Sequence, residues 1–264
     1  MARTDVSAIP LRVTYIGGPT ALLELGGLRV LTDPTFDPAG SEYRTPVYVL
    51  RKTQSPALSA AAIGAVDLVL LSHDHHFDNL DRAGRQVLDA AATVITTPDG
   101  AARVGANAVG LHPWESHDVT ARDGRVLRIT ATPTRHGPEG GDRGPVIGFI
   151  LAFTDVPAPL VYVSGDTVWY EGIAEVSGRF DPDVAVLFAG AARVHEVGPA
   201  PLTMTAAEMV TAARAFPRAV IVPLHFEGWA HFSESRADID AAFAAAGLGD
   251  RLRWPPPGHM VDLR

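Results

Sequence analysis

The apolar runs of this chain are strand-length and most are closed by glycine or proline, beginning with "LRVTYIGG", "TALLELGG" and "LRVLTDP" in direct succession. Such punctuation favours short strands joined by tight turns, here an antiparallel meander. Residues 33 to 56, "DPTFDPAGSEYRTPVYVLRKTQSP", keep no period and hold four prolines. They predict a long surface loop bordering a site, with Tyr43 and Tyr48 as its contacts. "VDLVLLS" then reads as a buried strand, followed by a helix over Leu80 to Ala91 whose Leu80, Ala83, Val87 and Leu88 share a face. After "TVITT" and a short helix near Asp99 to Val104, strands return at "RVLRITATP", "VIGFILAF" and "PLVYVSGD". Helices around Tyr170 to Ser177 and Thr205 to Phe216 alternate with "DVAVLFAG" and "AVIVPLH", and Thr205 and Glu208 fit a capping box. A last helix, Ser235 to Ala245, leads to a closing strand near Leu252 to Trp254 and the "PPPG" turn. Both halves pass from meander to α/β alternation, which predicts two packed sheets with helices outside and a single domain over residues 1–264.

Composition narrows what that domain can do. At 264 residues and 47% hydrophobic content the chain can bury a large core, yet no apolar run approaches the roughly 20 residues that span a bilayer. The opening "MARTDVSAIPLRVTYIGG" lacks an apolar signal core, so the expected location is cytoplasmic. The absence of cysteine excludes disulfides and thiolate metal sites, leaving His, Asp and Glu as the strong metal donors. A net charge of −8 disfavours nucleic acid and leaves a small-molecule substrate as the expected partner; the oligomeric state is not legible.

"LSHDHHFDNLD" sets His73, His75 and His76 where an apolar run ends and follows them with Asp78, Asn79 and Asp81. A strand that ends in several imidazoles can aim two of them at one ion, and from the residues alone the pair is open. Asp78 could bind a second ion or orient a ligand, and Asp78 or Asp81 could cap the next helix. Three further donors end other strands: His136 in "TRHGPEGG", Asp166 in "VSGDT" and His225 in "VPLHFEGW". Singly each is an ordinary turn or core residue; together with the first cluster they predict one metal centre at a sheet edge. His195 and His231 are further candidates for the pocket, whereas His112 and His117, flanking Trp114 in a predicted turn, read as structural. Ser164 lacks a nucleophile elbow and "YIGGPT" is no phosphate loop.

With these residues the chain resembles the metallo-β-lactamase-fold hydrolases, and among them the branch of ascorbate-phosphate lactonases and phospholipase D-type enzymes acting on N-acyl phosphatidylethanolamines. The resemblance runs from about Leu11 to His259. It rests on "HDHHFDN", His136, Asp166 and His225 filling the roles of a His-x-His-x-Asp-His box, a downstream His, a bridging Asp and a last His. It implies an αββα sandwich of the α/β (α+β) class. It also implies two histidines of the box with His136 around one metal, and Asp78, Asp166 and His225 around a second. The box departs from the pattern: Asp78 lies five residues after His73, and Asn79 stands where the second metal's His would be. Anchoring on His73 selects His75 as its partner; anchoring on Asp78 selects His76, the preferred register because "HFDNLD" then enters the helix without a gap. The expected activity is metal-dependent hydrolysis of an ester, lactone, amide or phosphodiester, with Asp78 or Asp166 passing the proton to the leaving group. One or two zinc ions suit the donors, and manganese or iron would be tolerated. The alternatives are a non-catalytic metal-binding or ligand-sensing protein on the same fold, and a di-iron redox protein, for which the chain shows no flavin-binding partner domain.

Overall fold

A computed structural model describes residues 9–263; Met1–Ala8, part of the stretch in which no export signal is legible, lies outside the described residues. The chain opens with the expected meander, β1 (Leu11–Gly17), β2 (Thr20–Leu25) and β3 (Leu28–Thr32), then β4 (Glu42–Arg44) and β5 (Val49–Arg51). Next come α1 (Ala60–Ile63), β6 (Leu68–Leu70), α2 (Arg82–Ala90), β7 (Thr93–Thr96), α3 (Pro98–Val104) and β8 (Ala108–Gly110). The second half holds β9 (Ser116–Thr120), β10 (Val126–Pro133), β11 (Ile147–Phe153), β12 (Val161–Val163), α4 (Glu171–Arg179) and β13 (Val184–Phe188). It closes with α5 (Ala206–Ala215), β14 (Val220–Leu224), α6 (Arg236–Ala245) and β15 (Met260–Asp262).

Two mixed sheets result, one ordered β15-β1-β2-β3-β6-β7-β8 and the other β14-β13-β12-β11-β10-β9. In each, an antiparallel meander passes into parallel strands where helices supply the crossovers. Side-chain alternation divides the core. Leu68 and Leu70 of β6 join Leu23, Val30, Leu127, Ile129 and Phe149 between the sheets, while Val69 joins Leu22, Leu31, Ile63 and Leu88 under α1 and α2. On the other flank Tyr162 of β12 packs its ring 5.2 Å from Phe216 at the end of α5. Each sheet therefore has two apolar faces, and the molecule is a four-layer αββα sandwich.

The structure departs from the sequence expectations at its edges. Residues 33–56 are not a bare loop, for β4 and β5 pair as a hairpin, and Tyr43 is fully buried instead of facing a site. Lys52 ties this segment inward: its Nζ lies 2.9 Å from Asp81 Oδ2, both side chains being buried. Asp81 also accepts from the N–H groups of Phe36, Asp37 and Gly84, the last as N-cap of α2. The stretch around His117 is a strand, β9, whose exposed edge position permits the polar "SHDVT" that hides it from hydrophobic patterning. β8 also escaped the sequence reading. Leu252 makes only an isolated bridge to Ile221, and the closing strand is β15, beside β1.

Candidate metal centre

Strand ends from both sheets meet at one edge of the sandwich. His73, His76 and Asp78 follow β6; His136, Asp166 and His225 follow β10, β12 and β14. Local backbone fixes two of these turns. Gly165 has φ +61, and a Cβ there would lie 2.7 Å from the Ile147 carbonyl oxygen, so glycine lets Asp166 turn inward against β11. His225 itself takes a left-handed φ of 56 while its N–H donates to the Gly18 carbonyl, a conformation held by the surrounding fold.

The six donors fall into two groups of three, His73 with His76 and His136, and Asp78 with Asp166 and His225; within each group the ligating atoms lie within 4.8 Å of one another. In the first group His76 Nδ1 is 2.9 Å from His73 Nε2 and 3.2 Å from His136 Nε2. Nitrogens bound tetrahedrally about 2.05 Å from zinc stand about 3.3 Å apart, so the spacing suits that ion. Outer partners set the tautomers. His136 Nδ1–H donates to the Leu202 carbonyl at 2.8 Å, which leaves Nε2 a lone pair. With Asp33 ionised, the Ser72 hydroxyl donates to Asp33 Oδ2 (2.8 Å) and accepts from His73 Nδ1–H (2.9 Å), freeing Nε2 likewise. Ser72 N–H adds a 2.6 Å bond to Asp33 Oδ1. Burial, then the neighbouring imidazoles, holds His73 well below the usual histidine range and His76 down at about 3, so both stay neutral and able to ligate.

The second group carries charge. Both oxygens of Asp166 and both ring nitrogens of His225 are buried without a hydrogen bond, although His225 Nε2 is 3.4 Å from Asp166 Oδ1 and 3.5 Å from Asp78 Oδ2. Four such atoms would cost about 1–3 kcal/mol each if left unmatched. Burial lowers the pKa of His225, but the Asp166 and Asp78 carboxylates outweigh it and raise it to about 10. The cluster thus demands positive charge, which a divalent ion supplies, and the donors present fit one. Burial raises the Asp78 carboxyl, yet the neighbouring His225 and His231 rings overcome it and hold it well below the carboxylate range.

Among the remaining candidates, His231 comes nearest, its Nε2 3.0 Å from Asp78 Oδ2. His75 turns away, with Nε2 donating to the Arg143 carbonyl at 2.9 Å. Asn79 is fully buried, and its Nδ2 faces Asp33 Oδ2 at 3.4 Å rather than the second group. His195 begins a 3-10 turn over His195–Val197, in a groove adjoining His231. The cleft over the donors is walled by Tyr48, Leu50, Arg143, Val194 and Leu202. Sequence reasoning missed Asp33, Ser72 and Arg143. The first two had a signal in "LTDP" and "LLSH", polar residues closing adjacent buried strands.

Paired donor triads at the edge of an αββα sandwich define a metal-dependent hydrolase. The chain belongs to the β-lactamase superfamily, since the family model of the Beta-lactamase superfamily domain matches residues 28–226. Among relatives, the UPF0173 protein YddR of Bacillus subtilis is 23% identical over 261 residues, covering 96% of this chain and 100% of that one. A UPF0173 metal-dependent hydrolase of Pyrobaculum arsenaticum is 28% identical over 265 residues, covering 96% and 100%. An isothiocyanate hydrolase from Delia radicum gut bacteria is similar in structure, with a TM-score of 0.80 and 24% identity over 95% of this chain and 98% of that one. No helix among the described residues is long and apolar enough to cross a membrane.

Proposed function

We propose that the chain works as one metallo-hydrolase domain and cleaves an ester, lactone, amide or phosphodiester of a small molecule at a zinc centre, for which manganese or iron can substitute. The observation that supports this best is the abutment of a neutral three-imidazole set against an acidic set whose buried oxygens lack partners. His73, His76 and His136 would hold one ion, and Asp78, Asp166 and His225 a second, with Asp166 between them: its Oδ2 is 3.5 Å from His136 Nε2 and its Oδ1 3.4 Å from His225 Nε2. When bound, zinc supplies Lewis acidity that lowers the pKa of water and polarises a carbonyl or phosphoryl oxygen. Asp78, kept ionised at the cleft, takes the proton and passes it toward the leaving group. His231 orients that carboxylate through its 3.0 Å contact, and Leu50, Val194 and Leu202 exclude solvent from the reacting bond. The lactone arm rests on the resemblance to ascorbate-phosphate lactonases.

The test is metal analysis of protein purified without added metal, paired with a panel of lactones, aryl esters, anilides, aryl phosphodiesters and an aryl isothiocyanate. Bound zinc or manganese with turnover supports hydrolysis. Iron with a visible charge-transfer band would replace it by redox chemistry, and bound metal with no turnover by ligand sensing.

A further inference from the structure

The histidine that faces away from the donor triads has a task of its own. His75 Nε2–H donates to the Arg143 carbonyl, and Arg143 N–H donates to the His136 carbonyl at 2.8 Å, so both backbone polar groups of Arg143 are tied beside the centre. The neighbouring Gly144 has φ +100, and a Cβ there would stand 3.1 Å from His75 Nε2, which shows how closely the loop is drawn onto that ring. The anchored Arg143 lines the same cleft as His76, Asp78, His136 and His231. Tyr48 lines that cleft too, and burial, then the Asp78 carboxylate, pushes its hydroxyl up while Arg143 opposes the shift. Among the described residues Arg143 has no carboxylate partner, unlike Arg103 with Asp74 or Arg128 with Asp118; Asp78, the carboxylate of its cleft, is taken by His225 and His231.

A guanidinium at a cleft wall, its backbone tied down on both sides and with no carboxylate to answer it, has a fork of donors free for a ligand, and carboxylate and phosphate groups match that fork. We infer that Arg143 recognises an oxyanion group on the substrate, at a distance from the bond that is cleaved, and that His75 is the positioning residue that holds Arg143 there. This rests on the hydrolytic function proposed above and adds a substrate class to it: small molecules that carry a carboxylate or phosphate beyond the scissile group. Leu50, Val194 and Leu202 suit the apolar carbons between the two.

The test compares three acyl esters of 4-nitrophenol on the zinc-loaded protein: the neutral pentanoate, the carboxylate-bearing monoglutarate and the phosphonate-bearing 4-phosphonobutanoate. We expect kcat/KM for at least one anionic ester to exceed that of the neutral one by about 10- to 100-fold, the range of a charge-assisted hydrogen-bonded pair. Which anionic ester leads identifies the oxyanion. Arg143→Met should bring that ratio near unity, Arg143→Lys should keep part of it as a point charge without the fork, and His75→Ala should lower it while metal per chain stays as in the wild type. Calorimetric titration of glutarate against pentanoate gives a second readout that needs no turnover, and Arg143→Met should erase the difference in affinity. A ratio unaltered in Arg143→Met, or a wild type indifferent to charge in both measurements, overturns the inference. Absence of turnover together with Arg143-dependent preference for glutarate would overturn the hydrolytic reading and leave anion recognition standing.

Discussion

Asp33→Asn changes one buried atom and should disturb the metal centre without touching a donor. The carboxylate receives Ser72 N–H at 2.6 Å, the Ser72 hydroxyl at 2.8 Å and, more loosely, Asn79 Nδ2 at 3.4 Å. An amide in its place keeps one acceptor oxygen and turns an NH2 toward one of these donors, so at least one buried donor loses its partner, at about 1–3 kcal/mol. For a chain of this length that is roughly 2–4 °C in Tm per kcal/mol, measured on metal-free protein because bound ion raises Tm by itself. If the NH2 faces Ser72, the hydroxyl turns and donates to His73 Nδ1, the ring protonates at Nε2, and the lone pair aimed at His76 is lost. Loss of such an outer partner costs about 10- to 100-fold in metal affinity. Burial also raises the wild-type Asp33 carboxyl to about 8. A protonated carboxyl donates to Ser72 and favours the same unwanted tautomer, so wild-type zinc affinity should fall as pH drops below about 8, while the variant, with nothing to protonate at 33, shows a flatter profile over that range. Chelator competition between pH 6 and 9 measures both. Unchanged affinity with a lowered Tm would make Asp33 a purely structural residue and refute the tautomer argument.

Comparing His75→Ala with His76→Ala by metal content should show loss of the ion held with His73 and His136 only in the second, and the reverse result would restore His75 as the partner of His73. His136→Ala should abolish both metal retention at that position and turnover; full zinc content would remove it from the centre. Lys52→Met should destabilise by about 3 kcal/mol, the low end for breaking a buried pair because Asp81 keeps three backbone donors, read as a shift of the urea midpoint at constant m. Trimming the β4–β5 hairpin should alter relative rates across the ester panel more than metal per chain, and unchanged rates would relegate the hairpin to a surface excursion.

Sequence patterning was informative where burial is two-sided and the strands are apolar. β1 to β3, β6, β7 and β10 to β14 all announce themselves through runs closed by Gly, Pro or a polar residue, and the Thr205–Glu208 capping box marks α5. It was blind at the margins. β9 alternates half-exposed and exposed residues at a sheet edge, and β15 is three residues with an exposed Met260, so neither carries a hydrophobic signal. The hairpin within 33–56 is held by Tyr43, whose hydroxyl donates to Asp37 at 2.5 Å, and by Lys52, long-range partners that no local period encodes. The candidate donors were visible because they gather in the turns that follow strands. Their supports were not: Leu202 offers a backbone carbonyl, Arg143 sits in a Gly-rich loop, and the facing of Asn79 toward Asp33 depends on residues 46 positions apart.

Each donor triad mixes the two sheets. The strand β6 of the first sheet leads into two members of the imidazole set and one of the acidic set; β10, β12 and β14 of the second lead into the other three. Neither half of the polypeptide by itself presents a complete set, so with the proposed ligands affinity for an ion is a property of the seam and selection for metal acts on how the halves meet. The spacing between donors is then inherited from the inter-sheet packing, and interiors transmit small volume changes over many ångströms. Substitutions at Leu23, Val30, Leu127 and Phe149, buried between the sheets and none of them a donor, therefore offer a route to retuning which ion the protein prefers without altering a single ligand.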